Sequence, residues 1–177
     1  MKQLVKGTVS AADGSEGLRE FQIHMSGDAA RENIEHMEPY GFTSEPFLDE
    51  VPDALMGFFD DNCQHGVVIA VSDRRYRIVN MQQGEVAIYD DKGRHLYLKR
   101  DGIEIDGVSD PIAVKTSGNV TIKAGGTCTI DAPQTIVTGN LTVKGSITSA
   151  GDVSGGGISL DGHTHTGDSG GTTSTPH

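Results

Sequence analysis

The first hundred residues contain several short segments in which apolar and polar residues alternate. Alternation with a period of two is typical of β-strands that have one buried face. Residues 4–10 and 21–25 follow this pattern, and the segment between them, ADGSEG, is rich in turn formers, so we predict a β-hairpin there. Four later segments predict further strands: residues 66–71, 76–79, 85–89 and 95–98.

The segment at residues 28–61 lacks this alternation and contains Pro39, Pro46 and Pro52. We predict a long loop here, with at most one helical turn. About six strands joined by short turns favour an all-β fold built on a small barrel of the oligomer-binding type. We assign this N-terminal OB-like β-barrel domain to residues 1–100.

From residue 101 onward the pattern changes to short, nearly repeated strand-like segments. Residues 119–124 and 127–132 match position for position as x-[VC]-T-I-[KD]-A, and the alternation continues less regularly to Val153. So narrow an apolar face cannot sustain a sheet in a single chain, because ribbons of few strands are marginal in water. We therefore predict an intertwined trimeric β-helix, a shaft over residues 101–157, in which Cys128 faces inward as a small hydrophobe.

Composition supports this division of the chain. The last aromatic residue is Tyr97, and 15 of the 24 glycines follow residue 100. Only two leucines, Leu141 and Leu160, lie in that second half, which therefore cannot build a compact core by itself. A disordered tail is the alternative, but it would not need β-branched apolar residues throughout. A trimeric receptor-binding fibre or adhesin would share the repeats, although an aromatic head would then be expected.

The charge and the cysteines exclude other classes of protein. The net charge is −11, and Arg74, Arg75 and Arg77 form one short basic run, so we expect no nucleic-acid partner. Cys63 and Cys128 lie far apart in the sequence, in regions of different character, so they do not suggest a disulfide framework and we expect both to be free thiols. The chain has no long apolar run and begins without a signal-like segment, which predicts synthesis in a cytoplasm.

One motif near the end of the sequence has metal-binding chemistry. On an extended segment the side chains of His163 and His165 point the same way, and a threefold axis would bring six imidazoles together. Structural zinc sites are nearly always tetrahedral, so six nitrogens favour iron(II), cobalt or nickel. The alternative is a solvent-exposed strand or a flexible end, since two histidines in a Gly/Thr-rich tail are weak evidence alone. We assign residues 158–177 to an apex closed by this metal site.

Other candidate residues are weaker. Asp152, Asp161 and Asp168 flank the two histidines and are candidate ligands of a second, harder cation such as calcium, although turn formation explains them equally well. Structural roles are expected for the singly placed histidines His24, His36, His65 and His95, and a surface position is expected for His177. No nucleophile elbow, phosphate loop or HExxH motif is present, and a filled metal shell has no open position, so we expect no enzyme activity.

Three segments resemble a known family. They are residues 63–71 with 74–77, residues 84–93, and the tip sequence Leu160-Asp161-Gly162-His163-Thr164-His165. Together they resemble the central spike, or baseplate assembly protein V, of contractile-tailed phages, and most closely the phage Mu type. The first 60 residues match that family only in general character.

The resemblance implies a homotrimer with an oligomer-binding barrel, a β-helix and a pointed apex that holds an iron ion (Fe²⁺) between His163 and His165 of three chains. It also implies that calcium binds near the apex, with ligands that cannot be matched residue by residue. Such spikes belong to the tail baseplate of the virion, assemble in the host cytoplasm and contact baseplate hub and tail tube proteins. They pierce the host outer membrane when the sheath contracts.

Overall fold

The structure is a computed structural model, and it contains two compact units, Met1–Gly118 and Asn119–His177. It describes residues 3–15, 17–25, 30–48, 51–62 and 64–175. Every regular element in these ranges is a β-strand, which confirms the all-β prediction. The described residues include no helix long and apolar enough to cross a membrane. Cys63 and His177, predicted as a free thiol and a surface residue, lie outside the described residues.

Five strands close a barrel in the first unit: β1 (Gln3–Asp13), β2 (Arg19–Met25), β3 (Ala30–His36), β4 (Asp53–Phe58) and β5 (Gly66–Ser72). They lie in the order β1-β2-β3-β5-β4 around the barrel. Neighbouring strands are antiparallel except β3 and β5, which are parallel, and β1 pairs with both β2 and β4. The predicted small barrel and its first hairpin are confirmed, and five strands are the number that an oligomer-binding fold has.

Alternate residues of these strands fill the barrel. Full burial of one large apolar side chain stabilises a fold by about 1.5–3 kcal/mol, so this core is a major source of the barrel's stability. The buried residues are Val9, Phe21, Ile23, Ile34, Ala54, Met56, Phe58 and Val68. Gly66 starts β5 against the ring of Phe58, where an added Cβ would lie 2.6 Å from the nearest ring carbon. A larger residue at position 66 would therefore displace a core aromatic.

The prediction of a loop over residues 28–61 is wrong for two stretches, because β3 and β4 lie there. β3 contributes a single buried apolar residue, Ile34, so its alternation is too weak to recognise. β4 follows Pro52 and contains Gly57, two residues that disfavour strands when the sequence is considered alone. Pairing with β1 and β5 outweighs those local preferences, and the described residues of this segment form no helical turn.

A second, three-stranded sheet follows the barrel in the same unit. It consists of β6 (Val86–Tyr89), β7 (His95–Leu98) and β8 (Ile103–Asp106) in that order. The predicted β6–β7 hairpin is confirmed, and Gly93 supplies the positive φ of 81° that its turn requires. However, these strands do not belong to the barrel, and residues 76–79 form no strand, so both of those predictions are wrong.

The second unit has little sheet within one chain. Residues 119–153 form no strand with the rest of the described chain, and the only hairpin joins β9 (Ser154–Gly155) to β10 (Ile158–Ser159). Gly156 and Gly157 have φ values of 60° and 82°, as a two-residue type I′ turn requires. The trimeric β-helix and the domain limits at residues 100 and 157 stay predictions about the assembled protein.

Candidate metal centre and neighbouring surfaces

The β9–β10 hairpin positions the two histidines of the predicted metal site. Leu160 donates its backbone N–H to the carbonyl of Val153 at 2.8 Å, which closes the hairpin. The rings of His163 and His165 then lie next to each other in an edge-to-face arrangement, with centroids 5.0 Å apart and planes at 87°. The structure therefore brings together the two residues that the sequence analysis predicted as ligands.

A hydrogen bond fixes the orientation of the His163 ring. Its Nδ1 lies 2.8 Å from the carbonyl oxygen of Ser159, which can only accept, so Nδ1 carries the proton. In the neutral form of the ring, the remaining nitrogen, Nε2, is the one with the free lone pair. Histidines that bind metals usually donate their other ring N–H to a backbone carbonyl in this way. The donor set at this site thus fits an ion that prefers nitrogen ligands, such as iron(II).

His165 is held from its backbone. Its N–H donates to Thr173 Oγ1 at 2.9 Å, and its carbonyl accepts from the N–H of Thr173 at 2.9 Å. A β-bridge between Thr166 and Thr172 closes the same loop. The side chain of His165 is exposed and available to a ligand.

The three candidate aspartates differ in their local structure and hydrogen bonding. Asp152 Oδ1 accepts the backbone N–H of Asp161 at 3.2 Å, and this bond, together with the Ser159 hydroxyl, lowers the pKa of Asp152. Asp161 and Asp168 lie in turns. Among the described residues, none of the three joins a group of three or more potential ligands. A second cation at these aspartates stays a prediction, and at Asp152 it would compete with protein donors.

A different group of potential ligands lies on the three-stranded sheet, and the sequence analysis did not find it. His95, Glu104 and Asp106, here called the carboxylate–histidine cluster, place one ligand atom each within 4.8 Å of one another. Hydrogen bonds to the Gly93 carbonyl and to Glu104 raise the pKa of His95. The cluster depends on the pairing of β7 with β8, which we had placed in different domains, so only the strand register could have revealed it.

The opposite face of this sheet is entirely apolar and uncovered in the single chain. Cross-strand pairs place six side chains on it, and their exposed fractions range from 37% to 74%. We call this surface the apolar sheet face: Val86, Ile88, Leu96, Leu98, Ile103 and Ile105. Contiguous apolar patches of this kind are rare on monomeric proteins and indicate an interface.

These features define the chain as an all-β protein in which a five-stranded barrel precedes a sheet with one bare apolar face and an extended segment rich in β-branched residues. The family model described as "Bacteriophage Mu Gp45, N-terminal" matches residues 6–75. The "Baseplate puncturing device gp45" of Escherichia phage Mu is 32% identical over 181 residues, covering 96% of this chain and 86% of that protein. The chain therefore belongs to the phage Mu Gp45 family.

A second relative comes from a bacterium. The "Mu-like prophage FluMu protein gp45" of Haemophilus influenzae is 25% identical over 160 residues, which cover 90% of this chain and 84% of the relative. Both alignments extend well beyond residue 75, so the likeness includes the glycine-rich second unit as well as the barrel.

Proposed function

We propose that this protein is the central spike of a phage tail baseplate, a homotrimer that caps the tail tube and pierces the host outer membrane when the sheath contracts. The name of the phage Mu relative supports a puncturing role in the baseplate. On this proposal the protein acts mechanically and not as an enzyme. It is a component of the virion, assembled in the host cytoplasm next to baseplate hub and tail tube proteins.

The observation that carries the proposal is the amount of apolar surface that one chain leaves uncovered. Besides the apolar sheet face, the second unit exposes large apolar side chains along most of its length. Six of them have exposed fractions between 60% and 79%: Val120, Ile122, Ile130, Ile136, Leu141 and Ile147. Burial of this surface would be strongly favourable, at about 25 cal/mol per Å², and only further chains can supply the cover.

A closed trimer provides that cover without leaving strand edges open. Each apolar sheet face would pack against its two symmetry mates around a threefold axis, and the segments after residue 118 would pair between chains. Strands that pair only between chains find no partner within one chain, which agrees with the absence of strands from residues 119–153. Interchain pairing would also protect these edges against aggregation.

The metal site would lock the end of this trimer. His163 and His165 of three chains would supply six nitrogens to one iron(II) ion, with Nε2 of His163 as the atom left free by its bond to Ser159. An ion with six protein ligands supplies cross-linking and no open position for chemistry. Calcium bound through Asp152, Asp161 or Asp168 remains a weaker proposal of the same kind.

Mass and metal content together test the proposal. Sedimentation equilibrium should give three times the chain mass of 18.7 kDa, and the purified protein should contain one iron for every three chains. The double variant His163→Ala/His165→Ala should keep the trimeric mass but lose the iron. A single-chain mass, or iron that stays bound in the double variant, would contradict the trimer or the ligand assignment respectively.

A further inference from the structure

We propose that the carboxylate–histidine cluster is a second metal site, which binds one divalent ion of the zinc, cobalt or nickel class per chain. It lies in the first unit and shares no residue with the His163/His165 site. One imidazole and two carboxylates are a ligand set that such borderline ions accept, with water completing the shell. The hard ions Mg²⁺ and Ca²⁺ would be disfavoured by the imidazole.

The strand register brings the three ligands to one face. His95 on β7 lies directly opposite Asp106 on β8, and Glu104 is the diagonal neighbour two residues away. His95 Nε2 lies 3.1 Å from Glu104 Oε1. Two ligands on one tetrahedral ion are about 3.3 Å apart, since each bond is about 2.0–2.1 Å long. The spacing of these two atoms therefore already suits a shared ion, and a carboxylate oxygen of Asp106 lies within 4.8 Å of the ligand atoms of the other two residues.

The imidazole of His95 is already oriented by an outer hydrogen bond. Its Nδ1 donates to the carbonyl of Gly93 at 2.8 Å, and the ring of Tyr97 packs edge-on with its centroid 6.1 Å away. Nε2 is therefore directed at the carboxylates of β8. A fixed tautomer with a backbone carbonyl behind the ring is the usual arrangement around a metal-binding histidine.

Electrostatics favours a positive charge between these groups. A lone pair on Nε2 would repel the carboxylate of Glu104, so either a proton or a metal ion must lie between the two atoms. Lys99 contacts the other oxygen of Glu104, Oε2, and so leaves Oε1 available. Its positive charge offsets one carboxylate, which predicts weaker binding than at a closed structural zinc site.

The cluster is open enough for an ion to enter. The His95 side chain is 17% exposed and that of Glu104 is 42% exposed, while Asp106 lies at the surface. The ligands lie on the face opposite to the apolar sheet face, so covering that apolar face does not bury them.

Titration of the full chain with Zn²⁺ tests this inference. The double variant His163→Ala/His165→Ala serves as the background, so that the other predicted site does not contribute. Isothermal titration calorimetry should then give one ion per chain, and adding His95→Gln should weaken binding by at least about tenfold. Adding His24→Gln, at an exposed histidine on β2, should leave both stoichiometry and affinity unchanged.

Absence of Zn²⁺ binding in the background variant would overturn the inference, as would equal affinity with and without His95→Gln. Circular dichroism shows whether each variant is folded. Glu104→Gln and Asp106→Asn keep the side-chain shape, so they repeat the test if His95→Gln does not fold, and unchanged affinity in both would also overturn it. Because ions are counted per chain without the tip histidines, failure here leaves the proposed trimer and its iron untouched.

Discussion

Gly7 illustrates how single residues limit the packing of the barrel. It lies in β1 between β2 and β4, where an added Cβ would be 2.6 Å from the carbonyl oxygen of His24 and 2.8 Å from a methyl carbon of Ile23. Backbone cannot move away from such a contact without disturbing the strand pairing. The absence of a side chain at position 7 is therefore a requirement of this fold.

We expect Gly7→Ala to destabilise the protein by about 1–3 kcal/mol, the usual cost of forcing extra atoms into a packed site. Urea denaturation followed by circular dichroism measures the change. Gly17→Ala is the matched control, because a Cβ there would meet nothing within 4 Å. Equal stability of the two variants would contradict the close approach between the strands.

We expect His36 to make the barrel sensitive to mild acid. Its ring packs on Phe21 with centroids 5.0 Å apart, and its Nδ1 is buried without a hydrogen-bond partner among the described residues. Burial lowers the pKa of His36 below 6.5. As the pH falls below 6.5, His36 takes up a proton in the unfolded chain but not yet in the folded chain. The contribution of neutral His36 to the free energy of unfolding is therefore complete above pH 6.5 and is lost as the pH falls toward the folded pKa.

The variant His36→Phe keeps an aromatic ring on Phe21 but cannot titrate. We expect its stability to fall less than that of the unmodified protein between pH 7.5 and pH 5.5, roughly the range in which an unfolded histidine takes up its proton. Thermal midpoints measured at several pH values provide the comparison. Parallel curves for the two proteins would show that His36 does not cause the acid sensitivity.

At the scale of elements, the three-stranded sheet has two faces with different roles. The apolar sheet face is exposed in the single chain, whereas the other face carries Tyr97, Lys99 and the carboxylate–histidine cluster. Tyr97 donates its hydroxyl to Glu85 at 2.6 Å, and this bond lowers the pKa of the Glu85 carboxyl. Such a sheet is suited to face copies of itself on one side and water on the other.

Adjacent residues of β6 allow this division to be tested. Ile88 points to the apolar sheet face and Tyr89 to the other, and they are similarly exposed in the single chain, at 55% and 40%. In the proposed trimer Ile88→Asp would bury three carboxylates near one axis and should promote dissociation. Tyr89→Asp should leave the trimer intact. Size-exclusion chromatography with light scattering distinguishes the outcomes, and dissociation by both or by neither would argue against this interface.

Local patterns in the sequence predicted some elements correctly and missed others for identifiable reasons. The hairpins β1–β2 and β6–β7 alternate clearly and surround turn formers, so they were predictable. Residues 76–79 alternate equally well, but Tyr76 instead packs with Phe47 and Arg75 and the segment pairs with no strand. His163 and His165 were recognisable as neighbours in an extended segment. The carboxylate–histidine cluster was not, because it depends on register between strands.

At the scale of the whole molecule, the chain carries more apolar surface than it can bury alone. The barrel has its own core, whereas residues 119–153 contribute no core residue and have no sheet partner among the residues that the structure describes. A net charge of −11 per chain would favour the solubility of the proposed trimer, and it disfavours binding to nucleic acid. We therefore expect these residues to form β-strands only between chains.

Amide hydrogen exchange tests that claim most directly, because it reports hydrogen bonding residue by residue in the assembled protein. We predict that amides between residues 119 and 147 exchange as slowly as those of the barrel strands β1 and β4, which serve as the internal reference. Fast exchange throughout residues 119–147, at the rate of an unstructured chain and beside a protected barrel, would contradict the proposed intertwined shaft.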